Sequence, residues 1–289
     1  MPTAISLSRV HGLDAIELQA RDGARATLLL HGGHLVSWCP AGAGEQLYLS
    51  PRSAFTSGQA IRGGVPVIFP QFAARGALQR HGFARTKPWQ LVLAEQGEAD
   101  ALAVLRLSQD AATRMCWPHD FDLELTVRIA GASLEMELAC ENKGDTPLSF
   151  TGALHTYLGI EALGETSVRG LGGLHYWDSV AQKEAVQRTD LLLPGMPDTQ
   201  DLDRIYYQVH ESLTLVEQRG PAQRCVEIRQ HGFEDAVVWN PGAAKCAALS
   251  DMPLGDFEKM LCVEAACIER PVILQPGETW AGMQSLSLV

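Results

Sequence analysis

Four arginines, Arg62, Arg75, Arg80 and Arg85, fall within residues 60–89, and no Asp or Glu interrupts them. A guanidinium presents a planar fork of N–H donors that fits phosphate oxygens, so this segment suits anion binding. A solvated basic loop would have the same composition. Gly63-Gly64 beside Arg62, and Gly82 beside His81, permit close backbone approach to a ligand, which favours the anion site. Two further residues have the chemistry of proton transfer. Glu264 is an acid inside an otherwise apolar run, residues 260–267. It is either an outward-facing strand position or a buried acid, and acids are rarely buried unless paired. His155 follows Phe150-Thr151-Gly152-Ala153-Leu154, again an apolar setting. It reads either as a satisfied structural histidine or as a site residue.

The elements that must position these groups belong to a chain of 289 residues, 46% hydrophobic and 20% charged, proportions of a soluble globular protein. With 23 Lys and Arg against 34 Asp and Glu, the formal net charge is −11. An acidic chain without a basic run lacks the electrostatic footprint of a nucleic-acid binder. Any anionic ligand must be held by local cations against the overall field, which makes clustered arginines informative. The first residues lack the basic and apolar regions of a signal peptide. No apolar stretch approaches the ~18 residues of a membrane-spanning helix. Seven scattered cysteines form no CxxC pair, so buried free thiols in a reducing cytoplasm are expected.

The dominant pattern is alternation with a period of two. Phe121, Leu123, Leu125, Val127 and Ile129 alternate with polar residues, and Leu134, Met136, Leu138 and Cys140 follow a short turn. This predicts a hairpin over residues 121–129 and 134–140 with one apolar face. Shorter strands are expected at residues 16–20, 24–30, 102–107, 213–216, 225–228 and 283–289. No segment keeps a helical apolar stripe for three turns. Short strands with regular turns predict a single-domain antiparallel β-sandwich. Residues 189–204 read as a long surface loop.

Phosphate-loop and nucleophile-elbow motifs are absent. Gly170-Leu171-Gly172-Gly173 reads as a turn, and so does His31-Gly32-Gly33-His34, whose histidines have no nearby carboxylate to complete a metal site.

Arg62-Gly63-Gly64-Val65-Pro66-Val67-Ile68-Phe69-Pro70-Gln71-Phe72, followed by His81-Gly82-Phe83-Ala84-Arg85 and Trp89, resembles the hexose-6-phosphate mutarotases. These are glucose-6-phosphate 1-epimerases, related to aldose 1-epimerases. Leu154-His155-Thr156-Tyr157, Asp203-Arg204-Ile205-Tyr206, Val238-Trp239-Asn240-Pro241 and Cys262-Val263-Glu264 are similar to the family's remaining motifs, in the same order. The resemblance spans residues 32–277 and implies a large antiparallel sandwich of the galactose mutarotase-like kind.

It also implies roles. Glu264 matches the general base and His155 the general acid of a ring opening and closure that exchanges the α and β anomers. His81 matches a second site histidine that hydrogen-bonds sugar oxygens, and Asp203 an acid that binds a sugar hydroxyl. Arg62 and Arg85 match arginines close to the phosphate. Arg80 stands where related proteins have Gln, with Gln79 one residue earlier, and either could reach the ligand. The expected reaction uses no cofactor or metal, because a carboxylate and a histidine suffice for both proton transfers. The expected protein is one domain over residues 1–289, a cytoplasmic monomer whose partner is a small hexose phosphate rather than nucleic acid or membrane. An epimerase of unphosphorylated aldoses and a non-catalytic carbohydrate-binding sandwich are the alternatives.

Overall fold

The alternation over residues 121–140 folds as read. In a computed structural model that describes residues 7–195 and 200–289, strands Phe121–Ala130 and Ser133–Asn142 pair in register, Ile129 opposite Leu134 and Leu123 opposite Cys140. Phe121, Leu123, Leu125, Val127 and Ile129 are fully buried. Each such side chain stabilises the fold by about 1.5–3 kcal/mol relative to exposure.

The hairpin sits in a nine-stranded sheet that runs from Leu191–Leu192 through Thr166–Arg169, Leu213–Arg219, Ala222–His231, Thr279–Leu288, Ser133–Asn142, Phe121–Ala130 and Ala101–Ser108 to Gln90–Gln96. Facing it is an eight-stranded sheet in the order Lys183–Val186, His175–Asp178, Leu202–Tyr206, Asp235–Asn240, Met260–Leu274, Leu148–Leu154 and Val67–Ile68. Its remaining strand, Tyr157–Gly159, also pairs with Met260–Leu274. The named strand pairs of both sheets are antiparallel. A smaller four-stranded sheet contains Leu7–Val10, Leu13–Gln19, Arg25–Leu29 and His34–Cys39.

One apolar core joins the two large sheets, and in it Phe69 packs on both Phe121 of the nine-stranded sheet and Phe150 of the eight-stranded one. Two buried polar groups also cross the gap. Gln284 donates to the Val263 carbonyl at 3.1 Å, and the Thr156 hydroxyl donates to Gln284. Helices are short, Ala111–Cys116 and Gly242–Ala248. Residues 189–204 are not a continuous loop: Leu191–Leu192 and Leu202–Tyr206 are strands at either end, and residues 196–199 lie outside the described residues.

Met260–Leu274 is buried on both faces from Met260 to Ile268. Such a strand shows an unbroken apolar run rather than alternation, because neither side meets water. One face enters the core; the other forms the floor of a cavity.

Candidate active site

Two rows across the eight-stranded sheet make that floor. The register Leu154↔Ala265 and Tyr157↔Cys262 continues without a slip, so His155 faces Glu264 across the ladder. In the same row Val237 lies beside Glu264 and Ile205 beside Val237. In the next row Trp239 lies beside Cys262 and Asp203 beside Trp239. Residues two apart on a strand share a face, and Asp203, Trp239, His155, Tyr157 and Glu264 all line a cavity of about 730 Å³.

His155 Nδ1 stands 3.3 Å from Glu264 Oε1, with the side chains 10% and 1% exposed. The pair is close but misaligned, and His155 Nδ1 and Glu264 Oε2 have no hydrogen-bond partner among the described residues. The imidazole stacks on Tyr157, ring centroids 4.8 Å apart, and meets Trp239 edge-on at 6.0 Å. Burial pushes the Glu264 carboxyl well above the usual carboxylate range, and the charge of Asp203 adds to this. Burial also pushes His155 well below the usual imidazole range, reinforced by His81, Arg85 and Arg62. Asp203 is itself raised, again chiefly by burial.

Residues 60–89 build one wall. The Arg62 guanidinium donates through Nε and one terminal nitrogen to Asp251, at 3.1–3.3 Å, and through the other nitrogen to the Tyr157 hydroxyl at 3.2 Å. Arg85 donates to the Arg80 carbonyl at 3.1 Å, while its Nε is buried without a partner among the described residues. Arg85 forms no ion pair among the described residues, and burial lowers its pKa to about 10. His81 is held far below its ordinary value, first by burial and then by Arg85, Arg80 and Arg62. A locally positive field therefore persists in a chain of net charge −11. The Ala73 N–H donates to His81 Nδ1 at 3.3 Å, which leaves the proton on Nε2 as a donor. Arg80 lines the cavity, whereas Gln79 is turned back onto the Gly82 carbonyl at 2.8 Å.

The glycines of this segment act differently from the expectation. Gly63, Gly64 and Gly82 have φ of +105°, +62° and +65°, and a Cβ there would lie 2.4, 2.2 and 2.1 Å from the carbonyl oxygens of Tyr48, Leu35 and Phe69. The close approach is between chain segments, not to a ligand. His31-Gly32-Gly33-His34 is the expected turn, and its histidines also hold a neighbouring loop. His31 Nε2 donates to the Gln59 carbonyl and His34 Nε2 to the Gly63 carbonyl, both at 2.7 Å. The two bonds pin the loop that carries Arg62.

All seven residues proposed from the sequence line this cavity: Arg62, Arg80, His81, Arg85, His155, Asp203 and Glu264. Sequence reasoning assigned no role to Tyr157, Trp239, Lys245 or Asp251, which line it too. Tyr157 and Trp239 carried a signal, since each stands two residues from a floor position in sequence, His155 and Val237. Lys245, ion-paired with Asp201 at 2.8 Å, and Asp251 follow from tertiary structure alone.

An antiparallel sandwich with a buried carboxylate–imidazole pair under an arginine-lined wall has the form of an acid/base enzyme for a small polar substrate. The aldose 1-epimerase family model matches residues 14–287, and the chain belongs to that family. A protein of Cenchrus ciliaris named "Putative glucose-6-phosphate 1-epimerase" is 31% identical over 297 residues, covering 100% of this chain and 88% of that protein. One of the same name from Escherichia coli K12 is 35% identical over 260 residues, covering 88% of this chain and 84% of its own length. The crystal structure of a Salmonella typhimurium protein titled "a putative mutarotase" superposes with a TM-score of 0.88 at 29% identity, covering 100% of this chain and 96% of that one. The antiparallel sandwich expected from the sequence is thus the fold of this family. Among the described residues, no helix is long and apolar enough to cross a membrane.

Proposed function

We propose that this chain interconverts the α and β anomers of a hexose 6-phosphate, with glucose 6-phosphate the first substrate to test. The observation that carries the reading is the cross-strand pair His155–Glu264 on the cavity floor. Ring opening needs a base for the C1 hydroxyl proton and an acid for the ring oxygen. Glu264 as carboxylate takes the first proton, and His155 as imidazolium gives the second. The C1–ring oxygen bond breaks, an aldehyde forms, and rotation about C1–C2 presents its other face. Closure returns both protons along the same paths.

Burial assists each transfer in the opening direction. A carboxylate forced to ionise in an apolar site is a stronger base, and an imidazolium there is a stronger acid. The reactive pair, carboxylate and imidazolium, holds the same one proton as the uncharged pair that burial favours. Substrate selects that arrangement by moving a proton between neighbours, with no exchange with solvent.

The arginine wall supports a phosphate group on the substrate. Arg62 is neutralised by Asp251, so Arg85 and Arg80 supply the uncommitted charge. His81 and Asp203, which both line the cavity, would bind sugar hydroxyls. Residues 1–289 would act as one domain, which the shared core supports. A cytoplasmic setting fits the seven free cysteines, and a monomer is the working expectation.

Exchange between anomers of glucose 6-phosphate, followed by NMR with glucose as comparison, tests the reading. Faster exchange of the phosphosugar is expected. Exchange at the uncatalysed rate for both would overturn it, and equal acceleration of both would remove the phosphate from the proposal.

A further inference from the structure

The row next to the acid/base pair brings up a third donor for which anomer exchange has no use. Cys262 is fully buried, two residues before Glu264 on the same face of Met260–Leu274, and directly opposite Tyr157. Its Sγ, a ring nitrogen of His155 and a carboxylate oxygen of Glu264 lie within 4.8 Å of one another. On the same two side chains, His155 Nδ1 and Glu264 Oε2 are buried and without a hydrogen-bond partner among the described residues.

Thiolate, imidazole and carboxylate are the donor types of Zn²⁺, bound at about 2.3 Å to sulfur and about 2.0–2.2 Å to nitrogen and oxygen. Donors at those lengths around one tetrahedral ion stand about 3.3–3.8 Å apart. The 3.3 Å separation of His155 Nδ1 from Glu264 Oε1 already has that spacing. Hard oxygen-seeking cations such as Mg²⁺ gain little from the sulfur. Three protein donors leave a fourth coordination position for water, and of the three His155 and Glu264 line the cavity while Cys262 lies beneath its floor. The arginine wall repels cations at longer range, but it contributes no group to the contact, and two anionic donors balance the ion's charge.

We propose that His155, Cys262 and Glu264 form a site for Zn²⁺ or another thiophilic divalent cation, and that occupation stops anomer exchange. Binding forms metal–S, metal–N and metal–O bonds. The thiol proton, and the carboxyl proton where present, leave to solvent. No electron is transferred. Both proton-transfer groups are then ligands and can serve neither as base nor as acid. The inhibition rests on the proposed function; the binding does not.

The test is titration of the chelator-treated full chain with Co²⁺, a spectroscopic stand-in for Zn²⁺. A thiolate-to-cobalt charge-transfer band with intense tetrahedral visible bands is expected, and Zn²⁺ should displace both. Cys262→Ser, with Cys262→Ala as a second variant and circular dichroism as the fold check, should lose the band. Loss of a ligand should weaken Zn²⁺ binding by at least about tenfold, read by calorimetry. Glu264→Gln should weaken it similarly. Zn²⁺ should slow exchange in the parent, and Cys262→Ser should need at least about tenfold more for the same inhibition. Absence of the band in the parent, or its persistence in folded Cys262→Ser, overturns the site. Zn²⁺ binding that leaves exchange untouched overturns the inhibition. A parent that binds Co²⁺ through Cys262 but exchanges no sugar upholds the metal site while refuting the epimerase reading.

Discussion

His155 and Glu264 are cross-strand neighbours, with Nδ1 and Oε1 3.3 Å apart on the floor of the cavity. The ladder that pairs Leu154 with Ala265 fixes their separation, so neither side chain depends on a mobile loop for its position. Glu264→Gln keeps the shape but cannot accept a proton. Anomer exchange should fall by about 10²–10⁴-fold, with substrate affinity by calorimetry nearly unchanged. His155→Asn should lose a similar amount, and the double variant little more than either, because the groups serve one coordinated step. Parent-rate exchange in Glu264→Gln would remove Glu264 from the chemistry.

Arg85 and Arg62 differ in what their charge already does. Arg62 is bonded to Asp251 and Tyr157, whereas Arg85 has a buried Nε without a partner among the described residues. Arg85→Ala should therefore weaken glucose 6-phosphate binding by about ten- to a hundredfold, the worth of a charge-assisted hydrogen bond, and leave glucose exchange alone. Arg62→Ala should also harm glucose exchange, since it frees Asp251 and unties Tyr157 beneath His155. Equal losses on both sugars for Arg85→Ala would assign that arginine to folding.

Period two made much of this legible. The hairpin over residues 121–140 can be read because one face is dry and the other wet. The floor strand Met260–Leu274 cannot be split into faces that way, since residues 260–268 are buried throughout, with the core on one side and the walled cavity on the other. Local sequence therefore leaves Glu264 open between an outward and a buried position. Its setting becomes readable once register is known, because Val237, Glu264 and His155 then fall in one row. Asp251 is beyond local sequence altogether: it is 189 residues from Arg62 and meets it only through tertiary packing. Gly63 and Gly64 are close-approach positions, as their residue type suggests, but the approaching partner is the chain's own backbone. Composition cannot tell a ligand from a neighbouring carbonyl.

That neighbour makes a sharp prediction for Gly64. Its φ is +62°, and a Cβ would lie 2.2 Å from the Leu35 carbonyl oxygen. Gly64→Ala combines left-handed backbone strain with a clash against backbone, which cannot swing aside. A loss of at least about 1–3 kcal/mol in urea unfolding is expected, accompanied by weaker substrate binding because the loop carrying Arg62 must shift. A variant as stable as the parent would show that this loop is free to relax.

His34 gives the stability a pH dependence with a definite sign. Its Nε2–H donates to the Gly63 carbonyl, its Nδ1 is buried without a partner among the described residues, and burial lowers its pKa from 6.5 to about 4. The folded chain thus keeps this imidazole neutral in a range where the unfolded chain protonates it. Its contribution is complete above the unfolded value of 6.5 and is lost as pH falls towards about 4. At about pH 5 the loss for His34 alone is about 2 kcal/mol. His81 and His155 are also held low and act in the same direction. Glu264, held high, acts in the opposite one: its unfolded carboxyl ionises first, so its contribution is present at acid pH and fades as pH rises from 4.5. Urea midpoints at about pH 7.5 and about pH 5 should show the parent weakened by acid. His34→Gln can still donate an N–H to Gly63 but does not titrate, so it should lose about 2 kcal/mol less over that interval. Glu264→Gln removes the opposing contribution and should lose more than the parent. An acid loss in His34→Gln equal to the parent's would mean that His34 is protonated in the folded chain, and that its grip on the Gly63 loop has some other basis.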